Sequence, residues 1–177
     1  MQIVKLFIAV GVPLLAGFIG SIFTTPNIPT WYAELVKPTL NPPAWVFGPV
    51  WTALYITIGI ALFLVWKKNF FVVHHIFERR KAWNRWSARL WEGDLQRANT
   101  VTVFLVQLVL NMLWSYLFFA LQSPLLALFG IAALWVAIVY VIINFYRISK
   151  AAAYLLVPYL FWVSFAAYLN YSIWILN

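Results

Sequence analysis

The stretch that decides the fold is residues 124–146, which reads PLLALFGIAALWVAIVYVIINFY and contains no charged side chain. At 1.5 Å of rise per residue, a helix of this length covers the roughly 30 Å hydrocarbon core of a bilayer. Because no water is available there to satisfy backbone N–H and C=O groups, such a run is predicted to be α-helical. We therefore expect a transmembrane helix, with Pro124 at a favourable first-turn position.

Four further apolar runs have a similar length, and only Lys5 interrupts them with a charge. They cover residues 3–23, 44–66, 100–121 and 151–176. The whole chain of 177 residues is 65% hydrophobic and 9% charged, whereas soluble domains are about half apolar. Residues 1–177 are therefore predicted to form one all-α membrane domain, a bundle of five transmembrane helices. The alternative for the first run is a signal peptide, although no A-x-A cleavage site follows it.

The positive charges lie almost entirely on one side of this topology. One side carries a single base, Lys37. The other carries Lys5, Lys67, Lys68, Arg79, Arg80, Lys81, Arg85, Arg89, Arg97, Arg147 and Lys150. Since basic loops stay in the cytoplasm, the N-terminus is predicted to be cytoplasmic and the C-terminus outside, in a bacterial cell membrane.

The basic loop at residues 67–99 is predicted to be an insertion with its own structure. Ile76, Trp83, Trp86 and Leu90 follow helical spacing among the bases, which is typical of an amphipathic helix on lipid headgroups. A disordered basic linker is the alternative. Anionic membrane lipids are the expected partner of this charge, and nucleic acid is not expected.

Polar residues recur at four-residue steps on the third span, at Gln107, Asn111 and Ser115, with Trp114 beside them. Because polar side chains in hydrocarbon are costly, this stripe must face protein or a cavity. Hydrogen bonding that only joins the helices is the alternative to pocket lining.

Aromatic residues suggest the walls of a ligand pocket on two other spans. Trp162, Ala166 and Asn170 share a face of the fifth span, and Trp51 lies one turn before Tyr55 on the second. A planar ligand could stack between Trp51 and Trp162, with Ala166 leaving room. General helix packing of an abundant residue type is the alternative for any one tryptophan.

The loop between the first two spans is stiffened by Pro26, Pro29, Pro38, Pro42 and Pro43. Proline removes backbone freedom, so such a loop holds one shape at low entropic cost. It is predicted to be a rigid cap over the mouth of the bundle. An interfacial aromatic belt is the alternative explanation for its Trp and Tyr residues, and the two can hold together.

Three blocks of sequence carry a resemblance to a known family. They are the loop motif WYAELVKPTLNPPAWVFGPVW from Trp31, the motif QLVLNMLW from Gln107 and the motif PYLFWVSFA from Pro158. In their order and spacing they resemble the translocator protein family, TspO/MBR, whose members are also called tryptophan-rich sensory proteins or peripheral-type benzodiazepine receptors.

The resemblance implies a five-helix bundle whose cavity is capped by the first loop. It implies a receptor, sensor or translocator for porphyrins and other tetrapyrroles, including haem, and for sterols or synthetic aromatic ligands. No required cofactor is implied. The ligand-binding residues that it suggests are Tyr32, Pro43, Trp51, Tyr55, Gln107, Asn111, Trp114, Trp162, Phe165 and Ala166.

Two other functions remain open, and a catalytic or metal site is not predicted. Some members are associated with slow, light-dependent porphyrin breakdown, and passive tetrapyrrole or lipid transport is a third reading. The chain has four acidic residues and no cysteine, which leaves little for acid–base or thiolate chemistry. The pattern proposed for sterol contact has a tyrosine followed within a few residues by Lys or Arg. No basic residue follows Tyr171, which weakens the prediction of a sterol ligand.

A homodimer is also expected, through pairs of small residues spaced four apart. Ala133 and Ala137 form one such pair, and Ala16 and Gly20 form another.

Overall fold

A computed structural model describes residues 2–78 and 87–177 of the chain, and side chains for residues 2–67 and 100–177. All of its regular structure is helical within this described part. The helices are α1 (Gln2–Thr24), α2 (Trp31–Glu34), α3 (Phe47–Glu78), α4 (Ser87–Ser115), α5 (Pro124–Ile148) and α6 (Lys150–Leu176).

Within residues 2–78 and 87–177, five stretches are long and apolar enough to cross a membrane. They are Gln2–Asn27, Ala44–Lys67, Thr100–Ala120, Pro124–Ile148 and Lys150–Leu176. Their limits lie close to the five spans expected from the sequence, and the all-α membrane bundle is confirmed. Most large apolar side chains on the outer faces of the helices are exposed, as expected where lipid replaces water.

The five long helices form a closed ring. Each packs on two main neighbours, in the order α1, α3, α6, α5, α4 and back to α1. Ser149 alone separates α5 from α6, so these two helices must be antiparallel neighbours. At the start of α5, Pro124 occupies the first turn and the Ser123 side chain accepts a hydrogen bond from the backbone N–H of Leu126, which satisfies one otherwise unpaired donor.

The helical backbone extends beyond the predicted second and third spans. α3 continues to Glu78, and α4 begins at Ser87. The amphipathic helix predicted around Trp83 and Trp86 lies outside the described residues, and so do the side chains of the basic loop.

Close backbone contact between α1 and α3 depends on Gly59. A Cβ atom at this position would lie 2.5 Å from Cα of Val10 and 2.8 Å from the carbonyl oxygen of Ala9. Neither atom can move aside without moving α1, so glycine sets the distance between these helices.

The pair Ala16 and Gly20, proposed as one dimer contact, lies inside the bundle, and the homodimer itself stays a prediction. Ala16 is only 5% exposed and belongs to the core of the bundle. A Cβ atom at Gly20 would lie 3.3 Å from the Ser115 hydroxyl. This pair therefore serves packing of α1 inside the bundle and is not available to a second copy.

Candidate ligand cavity

A cavity of about 380 Å³ lies inside one end of the bundle, beneath the segment that joins α1 to α3. We call residues 25–46 the lid, because Thr25, Ile28, Tyr32 and Ala44 contribute to the cavity from this segment. The volume falls within the roughly 300–1,000 Å³ of small-molecule sites. The walls are Leu14, Gly17, Phe18, Gly20, Ser21 and Thr24 of α1; Phe47, Gly48, Trp51, Thr52 and Tyr55 of α3; Trp114, Ser115, Phe118 and Phe119; and Ala166, Leu169, Asn170 and Ile173 of α6.

Tyr32 is the part of the lid that reaches furthest into the protein. Its side chain is 7% exposed, and its ring centroid lies 5.8 Å from that of Phe119 and 6.3 Å from that of Phe118. The hydroxyl donates a 2.9 Å hydrogen bond to Oδ1 of Asn41. Burial raises the pKa of Tyr32, and the hydrogen bond to Asn41 opposes this effect. The phenol is therefore neutral at physiological pH.

Aromatic rings form one continuous wall of the cavity. Trp51 stacks on Tyr55, with centroids 5.6 Å apart, and lies 6.4 Å from Trp114. Trp114 in turn stacks on Phe118 at 5.7 Å. Because α4 passes into a π-helical turn at Tyr116–Ala120, Phe118 lies in a segment of altered helical pitch, a feature frequent at functional sites.

Asn170 fixes one of these rings. Its Oδ1 accepts a 3.0 Å hydrogen bond from the indole N–H of Trp114, and its Nδ2 donates a 2.7 Å bond to the carbonyl oxygen of Pro124. The asparagine is 1% exposed towards solvent and borders the cavity. One side chain therefore joins the wall from α4 to the first residue of α5.

A buried hydrogen-bond network lies deeper in the bundle and touches the cavity through Tyr55. The Tyr55 hydroxyl donates to Oδ1 of Asn111 at 2.6 Å, and Nδ2 of Asn111 donates to the Tyr159 hydroxyl at 3.2 Å. The Tyr159 hydroxyl donates to Oε1 of Gln107 at 3.0 Å. These bonds join α3, α4 and α6, so the amides serve the interhelical role that the sequence left open.

Five of the ten residues expected from the sequence line the cavity, namely Tyr32, Trp51, Tyr55, Trp114 and Ala166. The other five are not among its walls, and they are Pro43, Gln107, Asn111, Trp162 and Phe165. Gln107 and Asn111 lie in the network just described. Whether any of the ten binds a ligand stays a prediction.

Trp162 lies beside the cavity and faces another aromatic cluster. Its ring centroid is 6.0 Å from that of Phe47 and 5.8 Å from that of Phe165. Its indole nitrogen is buried and has no hydrogen-bond partner in the described part of the protein. Trp162 is not among the wall residues, whereas Trp51 is, and stacking of a ligand between these two indoles stays a prediction.

The contribution of α1 is what sequence reasoning missed. Gly17, Gly20, Ser21 and Thr24 line the cavity, and their three- and four-residue spacing places them on one helix face. A stripe of small and hydroxylated residues on an otherwise bulky helix was the available signal. Such a stripe indicates the face on which the side chains of α1 leave space for another molecule.

None of the described wall residues of the cavity is charged, and some of them are also exposed. Its polar groups are neutral hydroxyls and amides, as in Ser21, Thr24 and Asn170. Phe18 of α1 and Gly48 and Thr52 of α3 line it and are also exposed on the outside of the bundle. The arrangement can therefore hold a flat apolar molecule, with access between α1 and α3 as well as under the lid.

Comparison with known proteins places the chain in a family. The model of the TspO/MBR family matches residues 9–175. The chain is 41% identical over 177 residues to the tryptophan-rich protein TspO of Archaeoglobus fulgidus, which covers 100% of this chain and 99% of that protein. It is 43% identical to the protein of the same name from Chlorobaculum tepidum, over 99% of this chain and 98% of that one.

A human relative shows the same relationship at greater distance. The human translocator protein is 33% identical over 163 residues, or 92% of this chain and 83% of the human one. Together with the five membrane-spanning helices, these matches establish that the chain is a multi-pass integral membrane protein and belongs to the TspO/MBR family.

Proposed function

We propose that this protein is a membrane receptor, sensor or translocator whose cavity binds porphyrins or similar flat tetrapyrroles. The observation that carries this proposal is a cavity of about 380 Å³ whose described wall residues are all uncharged, with Trp51, Tyr55, Trp114 and Phe118 along one wall. Stacked or edge-on aromatic contacts contribute about 0.5–1.5 kcal/mol each beyond the burial of apolar area. A macrocycle can make several of them at once.

The neutral walls constrain how an acidic porphyrin would lie. A carboxylate buried without a partner is very costly, so the macrocycle would enter and its acidic groups would stay at the mouth. Lys37 is the basic residue of the lid, with Nζ 4.9 Å from the ring centroid of Tyr32. A haem or protoporphyrin therefore fits the charge distribution, and a sterol-like molecule fits the apolar walls.

Binding is tested by titrating the purified protein with protoporphyrin and following the quenching of tryptophan fluorescence. Saturable quenching supports the proposal if Trp51→Leu lowers the affinity about tenfold, the loss expected when stacking and ring burial are removed. Trp174→Leu is the matched control, because Trp174 is exposed and does not border the cavity. Equal affinities of the wild-type protein and the folded Trp51 variant would contradict the assigned site.

Light-dependent porphyrin degradation is a second candidate, favoured by the two indoles of the wall. Trp51 and Trp114 lie 6.4 Å apart, and an indole beside a photoexcited porphyrin can give it an electron. Dioxygen would then add to the reduced macrocycle and open its ring, and the electron would return to the indole radical, so that dioxygen is the oxidant and both of its atoms enter the product. Illumination in air should then produce new absorbing products that a Trp51→Phe, Trp114→Phe variant does not form. Equal bleaching by an unrelated tryptophan-rich membrane protein would remove the enzymatic claim.

Passive transport is the third candidate, and the name of the human relative supports it. The cavity has both an opening between α1 and α3 and a lid, which would serve entry and release. Flux of protoporphyrin across proteoliposomes is the test, with protein-free liposomes as the control. Binding of protoporphyrin without flux would contradict the transport function and favour a receptor or sensor.

We also propose a cytoplasmic N-terminus in a bacterial cell membrane, with anionic lipids and a second copy of the chain as further partners. Because the chain has no cysteine, single cysteines report orientation directly. Leu40→Cys in the lid should react with a membrane-impermeant thiol reagent on intact cells, whereas Lys150→Cys should react only after lysis. The reverse labelling pattern would show that the protein has the opposite orientation in the membrane.

A further inference from the structure

One side chain joins the lid to the C-terminal end of α6. Asn177 follows the last helical residue, and its Oδ1 accepts a 2.9 Å hydrogen bond from the backbone N–H of Val36. Its Nδ2 donates a 3.0 Å bond to the carbonyl oxygen of the same Val36. A side-chain amide carries one acceptor and two donors, which matches the N–H and C=O of one peptide unit. The two bonds therefore hold both the position and the direction of the lid backbone.

The remaining donor of Asn177 fixes the amide itself. Nδ2 also donates a 2.8 Å bond to the carbonyl oxygen of Ile173, one turn back on α6. Ile173 borders the cavity. The turn of α6 that holds the lid is thus the same turn that forms part of the cavity wall.

On the lid side, Lys37 makes the tied segment rigid. Its Nζ donates to the carbonyl oxygens of Ala33 at 3.1 Å and Leu35 at 3.0 Å, and lies 4.9 Å from the ring centroid of Tyr32. Residues 32–37 are therefore cross-linked from within by one ammonium group. A restraint on Val36 is in consequence a restraint on Tyr32, which forms the inner surface of the lid.

We propose that Asn177 is a positioning residue that latches the lid shut over the cavity and sets the rate at which ligand is exchanged. The proposal rests on the proposed function of the cavity as a binding site. Asn177 is not a wall residue of the cavity, so its effect is exerted through Val36 and Tyr32. The latch holds the lid in the empty and in the occupied protein alike. Its loss should therefore speed entry and release together and leave the dissociation constant nearly unchanged.

The first test is the variant Asn177→Ala, with protoporphyrin as the probe in stopped-flow measurements of tryptophan quenching. We expect association and dissociation rates to rise together by about tenfold, in line with the loss of two exposed hydrogen bonds. Ser172→Ala is the matched control, because within the described residues its hydroxyl bonds to the Tyr168 carbonyl on the same helix and to no lid residue. Unchanged rates in folded Asn177→Ala would overturn the latch.

The second test moves the rates in the opposite direction. The chain has no cysteine, so Val36→Cys with Asn177→Cys introduces a single disulfide. Oxidation should slow both association and dissociation of protoporphyrin, and a reductant should restore them. If the oxidised and reduced forms exchange ligand equally fast, entry proceeds between α1 and α3 and the latch has no role in it.

A ligand-free measurement separates this proposal from the proposed function. A spin label on Leu40→Cys, an exposed lid position, should become more mobile when Asn177→Ala is added. The same mobility with and without Asn177→Ala overturns the latch even if porphyrin binds. Increased mobility in a protein that binds no porphyrin supports the latch and contradicts the binding function instead.

Discussion

The Tyr55 hydroxyl and the Asn111 side chain are joined by a 2.6 Å hydrogen bond that connects the cavity wall to the centre of the bundle. The ring of Tyr55 lines the cavity, whereas Asn111 is 2% exposed and lies away from it. Through Tyr159 the same network reaches Gln107. The ring that a ligand would meet is therefore held by residues that the ligand would not touch.

Tyr55→Phe should separate the role of the hydroxyl from that of the ring. It leaves Oδ1 of Asn111 without its donor, and we expect a loss of about 1 kcal/mol in unfolding free energy, as for other interhelical bonds in membranes. Porphyrin affinity should change little, because the ring remains. Thermal unfolding in detergent and fluorescence titration measure the two effects. Tyr168→Phe is the control, since Tyr168 is exposed; a tenfold loss of affinity in Tyr55→Phe would show that the hydroxyl itself meets the ligand.

Asn170→Ala should damage both the fold and the site. It removes the acceptor of the Trp114 indole N–H and the donor to the Pro124 carbonyl, and we expect a loss of about 1–3 kcal/mol from the groups left unsatisfied. The freed indole should also give a broader, shifted tryptophan emission. Stability equal to that of the wild-type protein would mean that water replaces both bonds.

The fold was predictable from the sequence because membrane helices leave a simple signature. Each span is an apolar run of hydrocarbon length, with Lys5 near the start of the first as the one charge inside the predicted limits, and backbone chemistry in lipid permits only helix. The helix starting at Pro124 followed directly from this rule, and so did a short link to the next helix, although the structure shortens that link from residues 147–150 to Ser149. The extension of α3 to Glu78 did not, since a helix can continue into polar sequence beyond the membrane.

The site was predictable only in part, because periodicity assigns a face without saying what that face meets. Gln107 and Asn111 share a stripe with Ser115, yet only Ser115 borders the cavity. The two amides lie deeper and bond to tyrosines of other helices. The position of each residue along α4 determines whether it lines the cavity or joins the helices. That outcome also depends on where the neighbouring helices place their own side chains.

Trp162→Phe should affect binding less than Trp51→Leu does. Trp162 is not a wall residue, and its buried indole N–H lacks a partner among the described residues. Phenylalanine removes that unpaired donor, so stability should stay level or rise by about 1 kcal/mol. Porphyrin affinity should stay within about twofold, the range of a substitution away from a key contact. A large fall in affinity at unchanged stability would instead identify the Trp162 N–H as a donor to the ligand.

Gly17→Ala should close part of the cavity. A Cβ atom at Gly17 would overlap the ring of Tyr55, so the ring must shift, which strains its bond to Asn111. We expect a loss of about 1–3 kcal/mol, as for other overpacked positions, together with weaker porphyrin binding. Thermal unfolding and the fluorescence titration measure both.

Gly11→Ala is the matched control for this change on the same helix. Nothing lies within 4 Å of a Cβ atom at Gly11, so alanine should be neutral there or stabilise α1 by up to about 1 kcal/mol through its higher helix propensity. The two substitutions share their chemistry and differ only in what the new methyl group meets. If both leave stability and affinity unchanged, Tyr55 has room to move, and the contact between Gly17 and Tyr55 does not shape the cavity.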